Sequence, residues 1–173
     1  MEQLIAEILL PYKGTLGKAY EPYLYHAIRV GYIAEQLSKS KFNKEKFAIV
    51  CAFHDLGIWT KNTWDYLKPS EVLASDYLVE TNQNDLNDEV IAMIHHHHKL
   101  TSYKGEFEEA VELFRKADLV DFSNGLILFG LNRKWHSELK QKYPTIGFYN
   151  ELGRNFWKHA KFKPWNPLPM VRY

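Results

Sequence analysis

Apolar residues recur along this chain mostly at spacings of three and four, the pattern of amphipathic helices. Residues 2–10 read as a short helix stopped at Pro11, and a glycine-containing loop over 12–17 follows. A second helix opens near Pro22, a residue favoured in a first turn, and runs to about residue 38. Its apolar stripe passes through His26, Val30, Ile33 and Leu37, which turns His26 toward the core. A third helix, about 44–55, carries the run Cys51-Ala52-Phe53-His54-Asp55-Leu56-Gly57. Residues 56–68 read as a loop over the end of that run, and Pro69 and Ser70 open a helix that lasts to about residue 80. The polar residues 81–87 make the next connection.

A fifth helix, about 88–98, ends in four consecutive histidines. Val90, Ile91 and Ile94 continue one stripe to His97 and His98, whereas His95 and His96 project to the sides. The sixth helix, from about 106 to beyond Ala117, has the stripe Phe107, Ala110, Val111, Phe114 and Ala117. Asp118 continues that stripe, and Asp121, one turn further on, lies near the same face. Short helices are expected over 126–131 and 134–143, a longer one over 148–162, and an irregular proline-rich tail over 164–169. The pattern predicts an all-α fold in a single compact helical domain over residues 1–173, with a core of about 20–125 and a helical extension over 126–173.

Composition adds exclusions. At 46% hydrophobic and 25% charged residues the chain is an ordinary globular sequence. Its 22 basic and 21 acidic residues leave a formal charge of +1, so no electrostatic argument favours nucleic acid or a membrane surface as a partner. The lone Cys51 sits in the most apolar stretch, which suits a reducing compartment, and no secretory signal or bilayer-spanning run is visible, so a cytoplasmic location is expected. No glycine-rich phosphate loop, CxxC pair or nucleophile elbow occurs.

The chemistry therefore rests on buried histidines and aspartates. A carboxylate at the end of an apolar run is costly unless it is paired, hydrogen-bonded or bound to a metal. His26, the His54-Asp55 pair and Asp118 together supply two imidazoles and two carboxylates from separate helices. Zn, Mn, Fe, Co, Ni or Mg accepts that mixture, which contains no thiolate. Arg29 lies three residues after His26 on nearly the same face and offers a donor fork for a substrate phosphate; Lys61 and Lys99 follow ligand-bearing segments and could act as point charges. Trp59, Trp64 and Tyr66 offer flat surfaces for a substrate ring.

The ordered set resembles the HD-domain superfamily of metal-dependent phosphohydrolases. The matching residues are His26 in HAIRV, His54-Asp55 in FHDLG and Asp118 in KADLVD, and the family's I-x-x-H-H element looks like Ile94 to His98, which again selects His97 and His98. The resemblance runs from about residue 23 to residue 125. It implies a metal held by His26, His54, Asp55 and Asp118, and hydrolysis of a small phosphorylated molecule, for example a nucleotide. In that reading Asp55 is both ligand and water-orienting group, His97 and His98 protonate the leaving oxygen or hold the phosphate, and Arg29, Lys61 and Lys99 bind substrate. No histidine stands between Leu56 and Ile94, where some two-metal members place a ligand, so one metal is expected. The absence of a G-Y-P sequence after the histidine run argues against the cyclic-dinucleotide phosphodiesterase branch. The superfamily also includes di-iron oxygenases, hydratases of small nitrile-like compounds and non-catalytic regulatory modules, which are the alternatives.

Overall fold

The computed structural model describes residues 1–39, 41–145 and 147–171. Among the described residues the regular structure is helical throughout, and no strand is formed. The helices are α1 (Glu2–Leu9), α2 (Lys13–Leu16), α3 (Tyr20–Leu37), α4 (Lys44–Phe53), α5 (Gly57–Thr60), α6 (Leu67–Glu80), α7 (Asn87–His96), α8 (Glu108–Phe122), α9 (Arg133–Lys142) and α10 (Phe148–Phe162).

Helix α4 lies at the centre because its sequence leaves it no polar side: Phe47 to Phe53 are all buried. A helix that is apolar all round must be covered on all sides. Here α1, α3, α6 and α7 pack against it. Asn43 starts the helix by accepting a hydrogen bond from the Lys46 amide at 3.0 Å, satisfying one of the free N–H groups of its first turn. Helices α3 and α8 lie along each other, and α7 packs on α8. Four helices thus bring their inward faces to one region near the end of α4.

Local chemistry explains where the observed elements depart from the sequence pattern. Residues 10–19 are short helical turns rather than an open loop, with Pro11 in the first turn of a 3₁₀ segment where its missing N–H costs nothing. Residues 126–131 are not helical, although their apolar content reads that way. Asn124 and Gly125 both take positive φ, which turns the chain out of α8, and Phe129 and Gly130 do so again. At Gly125 only glycine fits, because a Cβ there would lie 2.5 Å from the His136 ring.

Gly57 is a second such position. The chain doubles back after α5, and a Cβ at Gly57 would meet the Tyr66 carbonyl oxygen at 2.5 Å and Pro69 and Ser70 at 2.9 Å. The Gly57 amide also donates to Ser70 Oγ at 3.0 Å. Gly57→Ala should therefore push the start of α6 away and cost about 1–3 kcal/mol, the usual range for overpacking. Urea denaturation checks this, and an unchanged midpoint would mean that α6 yields freely.

Candidate metal centre

His26 comes from the second turn of α3, His54 and Asp55 from the turn that ends α4, His97 from the end of α7 and Asp118 from α8. All five are buried. Nε2 of His26 is 3.0 Å from Nε2 of His54, 3.4 Å from Asp118 Oδ1 and 3.9 Å from Asp55 Oδ2. Nε2 of His54 lies 3.5 Å from Asp55 Oδ2 and 3.8 Å from Asp118 Oδ1. The four residues singled out as ligands by the sequence are thus brought together.

The other ring nitrogens fix the tautomers. Nδ1 of His54 donates to the Cys51 carbonyl oxygen at 2.9 Å, and Nδ1 of His26 donates to Asp121 Oδ2 at 2.7 Å. Both Nε2 atoms of the neutral rings then carry lone pairs that face each other, with two carboxylates beside them. A cation among the four reconciles that arrangement, and spacings of 3.0–3.9 Å suit donors that sit about 2.1 Å from a common ion. The donor set fits a divalent metal.

A second group shares Asp55. Nδ1 of His97 donates to the Ile94 carbonyl oxygen at 2.6 Å, which turns its Nε2 toward Asp55 Oδ1 at 3.5 Å. Both of these atoms are buried without a hydrogen-bond partner. With His98 they form a second cluster of metal-type donors, all within 4.8 Å of one another. The missing histidine between Leu56 and Ile94 therefore does not restrict the centre to one donor set, because His97, His98 and the far oxygen of Asp55 make another.

Electrostatics follows from burial and crowding. Burial pushes the His54 imidazole down to about 3, so the ring stays neutral and able to coordinate. For Asp55 burial acts upward, but His54 and His97 outweigh it and hold the carboxyl well below its usual range. Asp118 is pushed up to about 6, chiefly by burial, with Asp55 and Asp121 adding to the shift. Of the two carboxylates, Asp118 is the one whose ionised form burial and crowding disfavour.

Several partners were not legible as such. The Tyr23 hydroxyl donates to the Ala52 carbonyl at 2.9 Å and accepts from the Asp55 amide at 3.3 Å, which pins the His-Asp corner. Phe148 stacks on the His26 ring at 4.3 Å. The Tyr66 hydroxyl is hydrogen-bonded to His98 Nε2 at 2.6 Å, and burial keeps that phenol far above its ordinary range and protonated. Tyr66 is therefore a polar neighbour of the site, and Trp59 packs inward on Tyr23 at 4.9 Å. His95 bonds Glu71 and His96 stacks near Tyr103, and neither lines the cavity beside the metal-type donors.

The substrate-binding expectations need correction. Arg29 is fully buried and does not line that cavity. Its Nε and Nη2 donate to the two oxygens of Asp121 at 2.6 and 2.8 Å, and Nη1 donates to the Tyr143 carbonyl at 2.9 Å. Its place on the face of His26 aims it at the same buried carboxylate, so it supports His26 through Asp121 instead of clamping a phosphate. Lys61 is exposed and lies outside the cavity lining. Lys99 does line the cavity, beside Arg115, which the sequence reading did not single out; Arg115 donates to both oxygens of Glu112 and to the Lys99 carbonyl.

Residues 23–123 match the family model described as HD domain. No curated protein and no solved structure matches.

Proposed function

The chain belongs to the HD-domain family, whose members are mostly metal-dependent hydrolases, and on that premise we propose that it is a divalent-metal-dependent phosphohydrolase acting on a small phosphorylated molecule. The observation that carries this reading is the pair of donor clusters that share Asp55, of which His26, Asp55, His97 and His98 line one cavity together with Lys99. His26, His54, Asp55 and Asp118 would hold an ion, and Asp55, His97 and His98 could hold another. A bound ion of this kind supplies a water of lowered pKa and polarises a phosphoryl oxygen.

The chain's own groups do the rest. Asp55 orients the attacking water. The ammonium of Lys99 pairs with a phosphate oxygen. The oxygen of water bonds to phosphorus as the ester P–O bond breaks; the departing alkoxide takes the phenol proton of Tyr66, which His98 holds in place, and the proton shed by the attacking water restores it. The apolar walls keep bulk water from competing.

Protein purified without chelator should contain stoichiometric divalent metal and hydrolyse simple phosphate monoesters. Chelation should remove the activity, and one of Mn, Co, Zn or Mg should restore it. A folded, metal-loaded protein inactive on a broad ester panel would overturn this reading. The shared carboxylate also favours a second reading, a di-iron oxygenase, which two tightly bound irons with dioxygen uptake would establish.

A further inference from the structure

The phosphohydrolase reading leaves the organic part of the substrate open, and the cavity that holds the donors narrows it. Its volume is about 320 Å³, at the lower end of the roughly 300–1,000 Å³ of ligand sites. Beyond the donor cluster the wall is built largely from Leu100, Leu119, Phe122, Leu152, Leu168 and Met170. Among the described residues no asparagine, glutamine, serine or threonine lines it, and its polar groups away from the donors and cations are the Trp64 indole N–H and the Tyr66 hydroxyl. A ribose and a base edge carry more donors and acceptors than one indole N–H and one phenol can meet, so burying them against such a wall would leave most of their polar atoms unpaired. Among the described residues cations are equally sparse. Lys99 and Arg115 line the cavity, and Arg115 already gives Nε and Nη2 to Glu112 and Nη1 to the Lys99 carbonyl. A polyphosphate needs more positive charge than that.

Much of the apolar wall comes from beyond the family match, which ends at residue 123. Phe148 and Leu152 of α10 and Leu168, Met170 and Val171 of the following tail close the cavity. Met170 is itself held in an apolar cluster with Ile58, Tyr66 and Leu67, so the tail is docked on the segment that carries Tyr66.

We propose that the site selects phosphate monoesters with an apolar alkyl or aryl body over nucleotides, and that the segment 148–171 sets this preference. The proposal rests on the hydrolase reading for turnover, and its test separates the two. The n-alkyl phosphates from methyl to hexyl should be compared with nucleoside 5′-mono- and triphosphates in the presence of the activating metal. kcat/KM should rise up to about fourfold per added methylene until the cavity is full, the gain expected from burying one CH₂. The nucleotides should fall below the longer alkyl esters. Leu152→Trp should move the plateau to shorter chains and Leu152→Ala to longer ones, opposite shifts that a general loss of folding does not produce.

The matching n-alkylphosphonates, which are not hydrolysed, should show the same chain-length trend in calorimetric binding to the wild-type protein. That trend without turnover of any ester would support the apolar preference and overturn the hydrolase reading. Efficient turnover of nucleotides, or flat dependence on chain length in both series, would overturn the preference and leave hydrolysis standing.

Discussion

Alanine at Asp55 should leave the protein without stoichiometric metal and lower phosphate-ester hydrolysis by about a thousandfold or more, the several kcal/mol that a bound Lewis acid supplies. The size of the effect follows from the position of Asp55. One carboxylate oxygen faces the Nε2 atoms of His26 and His54, and the other faces Nε2 of His97. Its loss cuts both donor clusters at once. In the wild type, metal at a hundred times its dissociation constant should add about 2.7 kcal/mol to stability, because only the folded state assembles the donors. The Asp55→Ala protein should gain almost none of this. Thermal unfolding with and without added metal, beside elemental analysis, makes the comparison. Full metal occupancy in the variant would rule out Asp55 as a ligand.

The placement of such residues could be read from the chain where it depended on local periodicity. The stripes of α3, α7 and α8 turn His26, His97 and Asp118 inward, and the apolar run of α4 leaves the His-Asp pair with nowhere to go but the interior. What periodicity cannot show is the partner that waits on another helix. Arg29 shares a face with His26, which is why it enters the core, yet its carboxylate partner is Asp121, 92 positions along the chain. The spacing of Asp118 and Asp121 put both on one face. It did not say that one turns to the donor cluster while the other turns to the back of His26. The tail is a different case. Residues 164–169 contain three prolines and no helical period, so their sequence carries no sign that Leu168 and the adjoining Met170 form a wall of the cavity. The region 126–131 misled for a related reason: the chain takes positive φ at Gly125 before it and at Phe129 and Gly130 within it, and backbone conformation outweighed side-chain character.

The second large effect is expected at Arg29. Its side chain is 0% exposed, and its guanidinium ties Asp121 of α8 to the carbonyl oxygens of Tyr143 and Pro144. Burial works to raise the Asp121 carboxyl, but the hydrogen bonds from His26 and Arg29 prevail and hold it at about 2. Arg29→Ala would remove the charge and leave a buried carboxylate facing only His26. Breaking one side of a buried pair costs about 3–5 kcal/mol, since the remaining charge keeps its desolvation penalty. Against a total of about 5–15 kcal/mol for a domain, that is a large share. Because Asp121 also sets the tautomer and orientation of His26, metal affinity should fall by about 10- to 100-fold, the usual cost of disturbing a ligand's hydrogen-bond partner. Arg29→Lys should recover only part of the stability, because one ammonium cannot reproduce two parallel bonds to the carboxylate and a third to the chain. Urea unfolding and metal titration read the two effects separately. A variant with wild-type stability and wild-type metal affinity that had lost only turnover would instead make Arg29 the phosphate clamp its sequence position suggested.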